Sequence, residues 1–387
     1  MLILMYMAII LYALFSPNRR VIVFKHYNEG IHPHKSRFWL VCAAMLSYLS
    51  LTSKTYADVE NYTVVFNLAN ASGMSYSKLP DITPIWYVLC RFFGAIGLNY
   101  RGMIIGTIFL SIGIMHKALN SLGVALNEKV FWGCFMLFPA VVQIVQMKFF
   151  LGTAIVFFSY QYLLESTKKG NIKYIIGVLV ASLVHSSCLI FVVLIIVNYI
   201  RKSNIRKTAV LTTALIILMG LALKVIPKIA SVFISSVRIN RYFYSTTSKI
   251  TPLAAMKVVF VWLAIVAFAG IAVYKSWEIY KVSENSNDFL SYKIALKYYM
   301  GLCLLGATLL LMYYDANFFR FVEVGYLLGY VSISTFWVKP RKMTKIKFAI
   351  ATIFVLVSAI AITTYAPVES VLKPLFSYEG IVTIMRS

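Results

Sequence analysis

An all-α fold, a polytopic bundle of transmembrane helices, is what this sequence predicts, and three observations carry it. Hydrophobic residues make up 60% of the 387 and charged residues only 13%, with a mean hydropathy of +0.80, whereas a soluble domain is about 45 to 50% apolar. Apolar runs recur that reach or approach the ~20 residues a helix needs to cross a hydrocarbon core. Between them, lysine and arginine collect in short segments, the pattern of positive charge retained on the cytoplasmic side. The formal charge of +24 is therefore a topology signal, and nucleic acid is not an expected partner. The chain reads as a single integral membrane domain, 1–387, with outer loops at 53–83 and 227–252. The five cysteines, Cys42, Cys90, Cys134, Cys188 and Cys303, lie in or beside apolar runs without paired spacing and read as small core residues.

Taken in order, Met1 to Phe15 is apolar and is followed, not preceded, by Arg19 and Arg20. That order opposes a cleaved signal peptide and predicts a first span with its N-terminus outside. The basic loop from Ser16 to Arg37 is then cytoplasmic, and its His32-Pro33-His34 lacks the further ligands a metal would need. A second span, Phe38 to Leu51, leads out to the segment Ser53 to Thr83. There Asp58, Glu60 and Asp81 mingle with Tyr56, Tyr62, Phe66 and Tyr76, a mixture that suits sugar binding by stacking and carboxylate hydrogen bonds as well as it suits an ordinary surface loop. Asn61-Tyr-Thr63 and Asn70-Ala-Ser72 match the glycosylation sequon, a pattern frequent by chance. Pro84 to Leu98 is apolar but carries Arg91, which predicts an interfacial or re-entrant helix. Gly102 to Leu119 returns inward, and Gly102-x-x-x-Gly106 admits a close neighbour.

Val130 to Gln146 leads out and Phe149 to Leu164 comes back, which places Lys148 near the outer face. The run Ile172 to Ile200 is awkward as one span, because 29 residues at about 1.5 Å each give about 43 Å against a core of about 30 Å. Basic residues flank it on both sides: Lys168, Lys169 and Lys173 before or at its start, Arg201, Lys202, Arg206 and Lys207 after it. A helical hairpin satisfies both facts and puts its turn at His185, Ser186 and Ser187; one long tilted helix is the competing reading. Half-spans exist only where protein or a watery cavity satisfies their backbone, so the hairpin predicts an outer cavity faced by His185 and Lys148. A charge at the bilayer centre costs about 2.5 to 3.5 kcal/mol even on the milder scales. Both residues are therefore candidates for a site.

Thr208 to Ile226 leads out to the loop 227–252, which carries Lys228, Arg238, Arg241 and Lys249, no acid, and an interleaved Tyr242, Phe243 and Tyr244. Positive charge outside breaks the charge rule. An anionic ligand such as a phosphate suits the planar arginine fork, and anionic headgroups are the competing partner. Leu253 to Tyr274, Ile294 to Tyr313 and Asn317 to Val338 are further spans, the last bearing Arg320, Glu323 and Gly325-x-x-x-Gly329. Asp315 and Arg320 read equally as a structural ion pair or as part of a site. Lys347 to Tyr365 completes about 12 crossings, counting the hairpin as two. With no P-loop, no internal repeat and no Cys/His cluster, neither an ATP-driven pump nor a metal or other cofactor is expected.

Several of these segments together resemble the EpsG family, close to the Wzy-type polymerases of bacterial O-antigen and capsule. The resemblance rests on Asp58-x-x-x-Tyr62, on MKFFLGTAIVFFSYQYLLE, on ASLVHSSCLIF with Ala181, His185 and Ser187, and on FFRFVEVGYLLGY at Phe318 to Tyr330. It covers Ser53 to Lys339. Where the family has Arg-Gln, this chain has Lys148-Phe149, which keeps a charge and loses a bidentate fork.

The resemblance implies a multi-pass glycosyltransferase of the bacterial inner membrane that joins polyprenyl-diphosphate-linked oligosaccharide repeat units at the outer face. Such a reaction needs cations for a leaving diphosphate, for which the chain offers Lys148, Arg238, Arg241 and Arg320. It needs a base near neutral pH, for which it offers His185, with Asp58 or Asp315 as substitutes. Tyr62 is the candidate sugar-binding aromatic. Cations that suffice make a metal unnecessary. Expected partners are the lipid-linked oligosaccharide, membrane lipid, and a chain-length regulator and flippase of the same pathway. A lipid-linked oligosaccharide flippase, whose charges would line a path to both faces, and a membrane O-acyltransferase, which would need an acyl donor, are the alternatives.

Overall fold

In a computed structural model, the described residues are 2–15, 37–52, 57–72, 76, 82–123, 126–198, 251–283 and 286–336, with scattered positions in 210–231, 239–244 and 353–360. All their regular elements are helical. Among the described residues, four helical stretches are long and apolar enough to cross a membrane, namely Tyr100–Ser121, Met147–Glu165, Pro252–Val282 and Asp288–Tyr313. The chain divides into two compact units. The expected spans at 208–226 and 347–365, the loops at 16–36 and 339–347, the histidines 32 and 34, and most of the outer loop 227–252 lie outside the described residues.

The first unit begins with α1 (Leu2–Phe15) and α2 (Phe38–Thr52), followed by α3 (Ala57–Asn70) and α4 (Pro84–Ala95). Thus the part 57–70 of the segment expected as an outer loop is a helix, and it is pinned to α4. Asn70 Nδ2 donates to the Cys90 carbonyl at 3.1 Å, and Arg91 Nη1 donates to the Ala69 carbonyl at 3.1 Å, closing the last turn of α3. The second sequon asparagine therefore has a structural task. α4 buries Trp86 and Cys90 and exposes Val88, Phe92 and Ile96, one apolar stripe at helical spacing, as the expected interfacial helix requires. Its Phe93 ring lies on Gly106 of α5 (Tyr100–Ser121), where an added Cβ would stand 2.4 Å from the ring. Of the pair Gly102-x-x-x-Gly106, Gly106 admits the neighbouring helix, while Gly102 faces Leu98 of the preceding turn.

The run 130–146 departs from a single span. It forms α6 (Glu128–Leu137), a break at the cis Phe138–Pro139 bond, and one turn, α7 (Ala140–Gln143), before α8 (Met147–Tyr160). Nearly every residue from 128 to 144 is buried, which is what permits irregular backbone in such a run. The core of this unit is aromatic: Phe131 meets Phe157 at 5.4 Å and Phe135 meets Phe150 at 5.9 Å between ring centroids. A polar knot sits among these rings. Glu128 Oε1 takes His116 Nδ1 at 2.6 Å and the Trp132 indole N–H at 2.9 Å, while His116 Nε2 meets Asn120 Nδ2 at 2.8 Å. This ties the C-terminal half of α5 to the start of α6 with each buried polar group engaged.

The hairpin expected around His185 is present. α9 (Lys168–Val184) ends at His185, and a 3₁₀ arm (Ser186–Asn198) runs back along it. Tyr174 donates to the Phe191 carbonyl at 2.6 Å and Asn198 bonds Asn171, pairs that straddle the turn in antiparallel register. A 3₁₀ helix of 13 residues is unusual, but its length is matched. At about 2.0 Å per residue it spans about 26 Å, and the 17 residues of α9 at about 1.5 Å span the same. Gly152 of α8 receives the turn: an added Cβ would lie 2.6 Å from Cys188 Sγ and 3.6 Å from His185 Cβ. Gly152→Val is expected to cost about 1 to 3 kcal/mol by overpacking, read as a fall in thermal midpoint of the purified protein.

The second unit contains α10 (Pro252–Ser283), α11 (Ser286–Leu305) and α12 (Arg320–Phe336), each packed against the other two. Gly329 of α12 lies where a Cβ would meet Ile265 of α10 and Leu302 of α11 at 3.0 Å, and Gly325 faces Leu302 and Leu305. This is the packing role read from Gly325-x-x-x-Gly329. α11 continues as a 3₁₀ helix (Gly306–Tyr313), and a short 3₁₀ turn (Ala316–Phe319) leads into α12.

Candidate functional site

In the first unit, α4 is the meeting point. Tyr62 of α3 is half-buried and its ring lies 5.5 Å from that of Trp86. The helical backbone of α3 puts position 58 one turn before it; the Asp58 side chain lies outside what is described. Four residues beyond Trp86 on α4 is Cys90, which is buried. Thr83, preceding α4, donates its hydroxyl to the Val184 carbonyl, the last residue of α9. So α4 and the residue before it pack on α9, at the residue that precedes His185.

His185 itself is extended (φ −144°, ψ 113°), and the break leaves its own backbone groups satisfied. Its N–H completes α9 on the Ala181 carbonyl at 2.9 Å, and its carbonyl accepts the Cys188 N–H at 2.9 Å to start the 3₁₀ arm. The half-buried ring stands edge-on to Phe149 at 5.3 Å and shares a 2.6 Å hydrogen bond between Nδ1 and Ser187 Oγ. Phe149 adjoins Lys148, which occupies the second position of α8. First-turn backbone N–H groups have no helical acceptor, and the preceding Gln146 supplies no side-chain cap. Buried polar atoms collect in these same elements: Trp86 Nε1, Gln146 Oε1 and Thr153 Oγ1 have no hydrogen-bond partner among the described residues. Tyr62, Lys148 and His185, far apart in sequence, are thereby brought to one neighbourhood.

The second unit gathers Asp315, Arg320 and the turn that carries Arg241. Asp315 is 1% exposed, and its Oδ1 accepts the Asn317 N–H at 2.7 Å as the cap of the 3₁₀ turn. Arg320, the first residue of α12, donates from Nη2 to Asn317 Oδ1 at 3.1 Å. The ion pair envisaged between Asp315 and Arg320 is not formed, because the carboxylate is committed to backbone two residues on. Phe243 packs on Tyr314 at 5.1 Å and Phe318 at 5.5 Å, docking the turn Asn240–Tyr244 beside them. Arg241 shares that turn, though its side chain, like all of Arg238, lies outside the described residues.

Trp86, Ser187 and Asn317 were not singled out by sequence as site residues. Trp86 and Cys90 carried a faint signal in their i, i+4 spacing on a segment with a polar flank. Asp315-Ala-Asn317 carried a clearer one, as an N-cap pattern ahead of an apolar helix.

No curated protein and no solved structure matches the chain. A family model does, over residues 37–379 and hence most of its length, and by that match the chain belongs to the EpsG family, the Wzy-like polysaccharide polymerases.

Proposed function

We propose that this protein joins polyprenyl-diphosphate-linked oligosaccharide repeat units of a bacterial surface polysaccharide at the outer face of the inner membrane. One observation carries the reading beyond the family. A cation, Lys148, stands in the first turn of α8. The helix dipole favours cations at C-termini and anions at N-termini. A cation there is therefore placed against its own stability, and an anion such as a diphosphate suits both the cation and the helix N-terminus.

In the proposed reaction a hydroxyl of the acceptor's terminal sugar attacks the anomeric carbon that links the growing chain to its lipid carrier. A new carbon–oxygen bond forms, the bond to the diphosphate breaks, and the polyprenyl diphosphate leaves with the electron pair. His185 takes the hydroxyl proton. With Nδ1–H donating to Ser187, Nε2 keeps the lone pair required, and the C-terminus of α9 immediately before it favours the positive charge it acquires. In the first unit Lys148 is the cation for the leaving diphosphate, whose growing charge dominates the transition state; in the second unit Arg320, Arg241 and Arg238 are the other candidates for a diphosphate. Tyr62 offers a face to a sugar. Asp315, spent as a cap, is assigned no proton transfer, and Asp58 remains the substitute base of the proposal.

The test is a gel of surface and lipid-linked glycan from the source bacterium with the gene deleted and then restored. Loss of the ladder, with a single repeat unit still reaching the surface, is the expected result. Accumulation of single units on the cytoplasmic side would instead assign the protein to transport.

A further inference from the structure

The turn before α12 holds Arg320 in an uncommon way. Asp315, five positions before that arginine, is turned to the backbone of Asn317 at 2.7 Å, and it is the neutral Asn317 side chain that accepts from Arg320 Nη2 at 3.1 Å. No salt bridge to Arg320 exists among the described residues. Its Nε–H is buried and has no acceptor among them either. A buried donor on a charged group that is left unmet is costly, and the usual remedy, a carboxylate in the bidentate fork, is withheld although Asp315 lies five positions before Arg320 and Glu323 three after it. The turn is also rigidly seated. Phe318 contacts Phe243 at 5.5 Å and Phe321 at 5.6 Å, and Tyr314 contacts Phe243 at 5.1 Å.

A guanidinium braced by an acid is aimed but neutralised. Braced by an amide it is aimed and keeps its full charge. We infer that Asn317 is a positioning residue that fixes the Arg320 guanidinium while leaving its charge, and its Nε edge, for the diphosphate of the lipid carrier. This rests on the reading of Arg320 as a diphosphate-binding residue. Asp315 is one step further back, holding Asn317 through its backbone. The chemical requirement is an acceptor that is neutral, so Asn317→Asp is the informative change. It preserves the side chain's size and its oxygen toward Arg320, and it adds the one negative charge the native turn avoids.

The probe is a polyprenyl diphosphate, the leaving group itself, titrated into the purified full-length protein, with thermal midpoint measured in parallel. Arg320→Ala and Asn317→Asp are both expected to weaken its Kd about tenfold or more, the scale of one charge-assisted hydrogen bond, with Asn317→Asp keeping the wild-type midpoint. Asn317→Leu, which removes the brace, is expected to weaken binding similarly. If Asn317→Asp binds as the wild type while Arg320→Ala does not, Asn317 is a structural brace only and the inference is overturned. If Arg320→Ala also binds as the wild type, the assignment of Arg320 itself fails, and Asn317 has nothing to position.

Discussion

His185→Ala is expected to abolish the polymer ladder while leaving the protein in the membrane at normal abundance. The two halves of that expectation have separate physical grounds. Abundance survives because the hairpin turn is held by backbone bonds that alanine retains, His185 N–H to Ala181 and Cys188 N–H to the carbonyl of 185. The losses are an edge-on aromatic contact with Phe149 and the bond to Ser187, about 1 kcal/mol each. The ladder is lost because a positioned base contributes about 10²- to 10⁴-fold to such a transfer. A repeat unit handed over that slowly is outrun by export of single units. The decisive measurement is the rate of chain elongation in membranes with matched protein content. Normal elongation by His185→Ala would remove the imidazole from the reaction and leave it as a wedge that opens the hairpin.

That hairpin is also where sequence reasoning reached furthest. The excess length of the run 172–200 and its basic flanks on both sides already required a return, and the turn falls at the histidine. What the residues do not display is that one arm is 3₁₀. An apolar arm reads the same at either rise, and the choice is made by matching its length to α9 in the packed unit. The break at Pro139 is different. The proline that removes a helical N–H stood in the sequence, but the apolar run on either side of it suggested a continuous span, because burial in protein hides the broken backbone from lipid. α3 was obscured in the opposite sense. Asp58, Glu60 and three asparagines make it look like a loop, and it is a helix because Phe66, Ala69 and Asn70 have α4 to pack and bond against. The Asp315 to Arg320 pair shows the limit of charge arithmetic. Five residues apart, opposite in sign, they invited an ion pair, yet the local geometry of an N-cap committed the carboxylate first.

Lys148→Met should lower polymerisation about 10- to 100-fold without lowering the thermal midpoint, and the combination is what makes the expectation specific. Methionine keeps the unbranched stem of lysine and removes only the charge. A lysine present for structure would pack its stem and complement a nearby acid, and its loss would leave activity intact or would destabilise. Here the local field points the other way. Lys148 sits in the first turn of α8, where a cation is disfavoured by about 0.3 to 1 kcal/mol. Removing it should leave the midpoint unchanged or raise it by that modest amount. The same field, added to the charge, is what stabilises a departing diphosphate, and losing one charge-assisted contact to it costs about 1.5 to 3 kcal/mol. Lys148→Arg should then retain polymerisation, since the charge returns and brings back the fork that the family pattern has at this position. A stable Lys148→Met protein with a wild-type ladder would show that the charge is not engaged in turnover, and the cost of keeping it at the head of α8 would need another beneficiary. The opposing signs matter more than either magnitude, because a group that burdens the fold and serves the reaction is distinguished from one that serves the fold by a single substitution measured two ways.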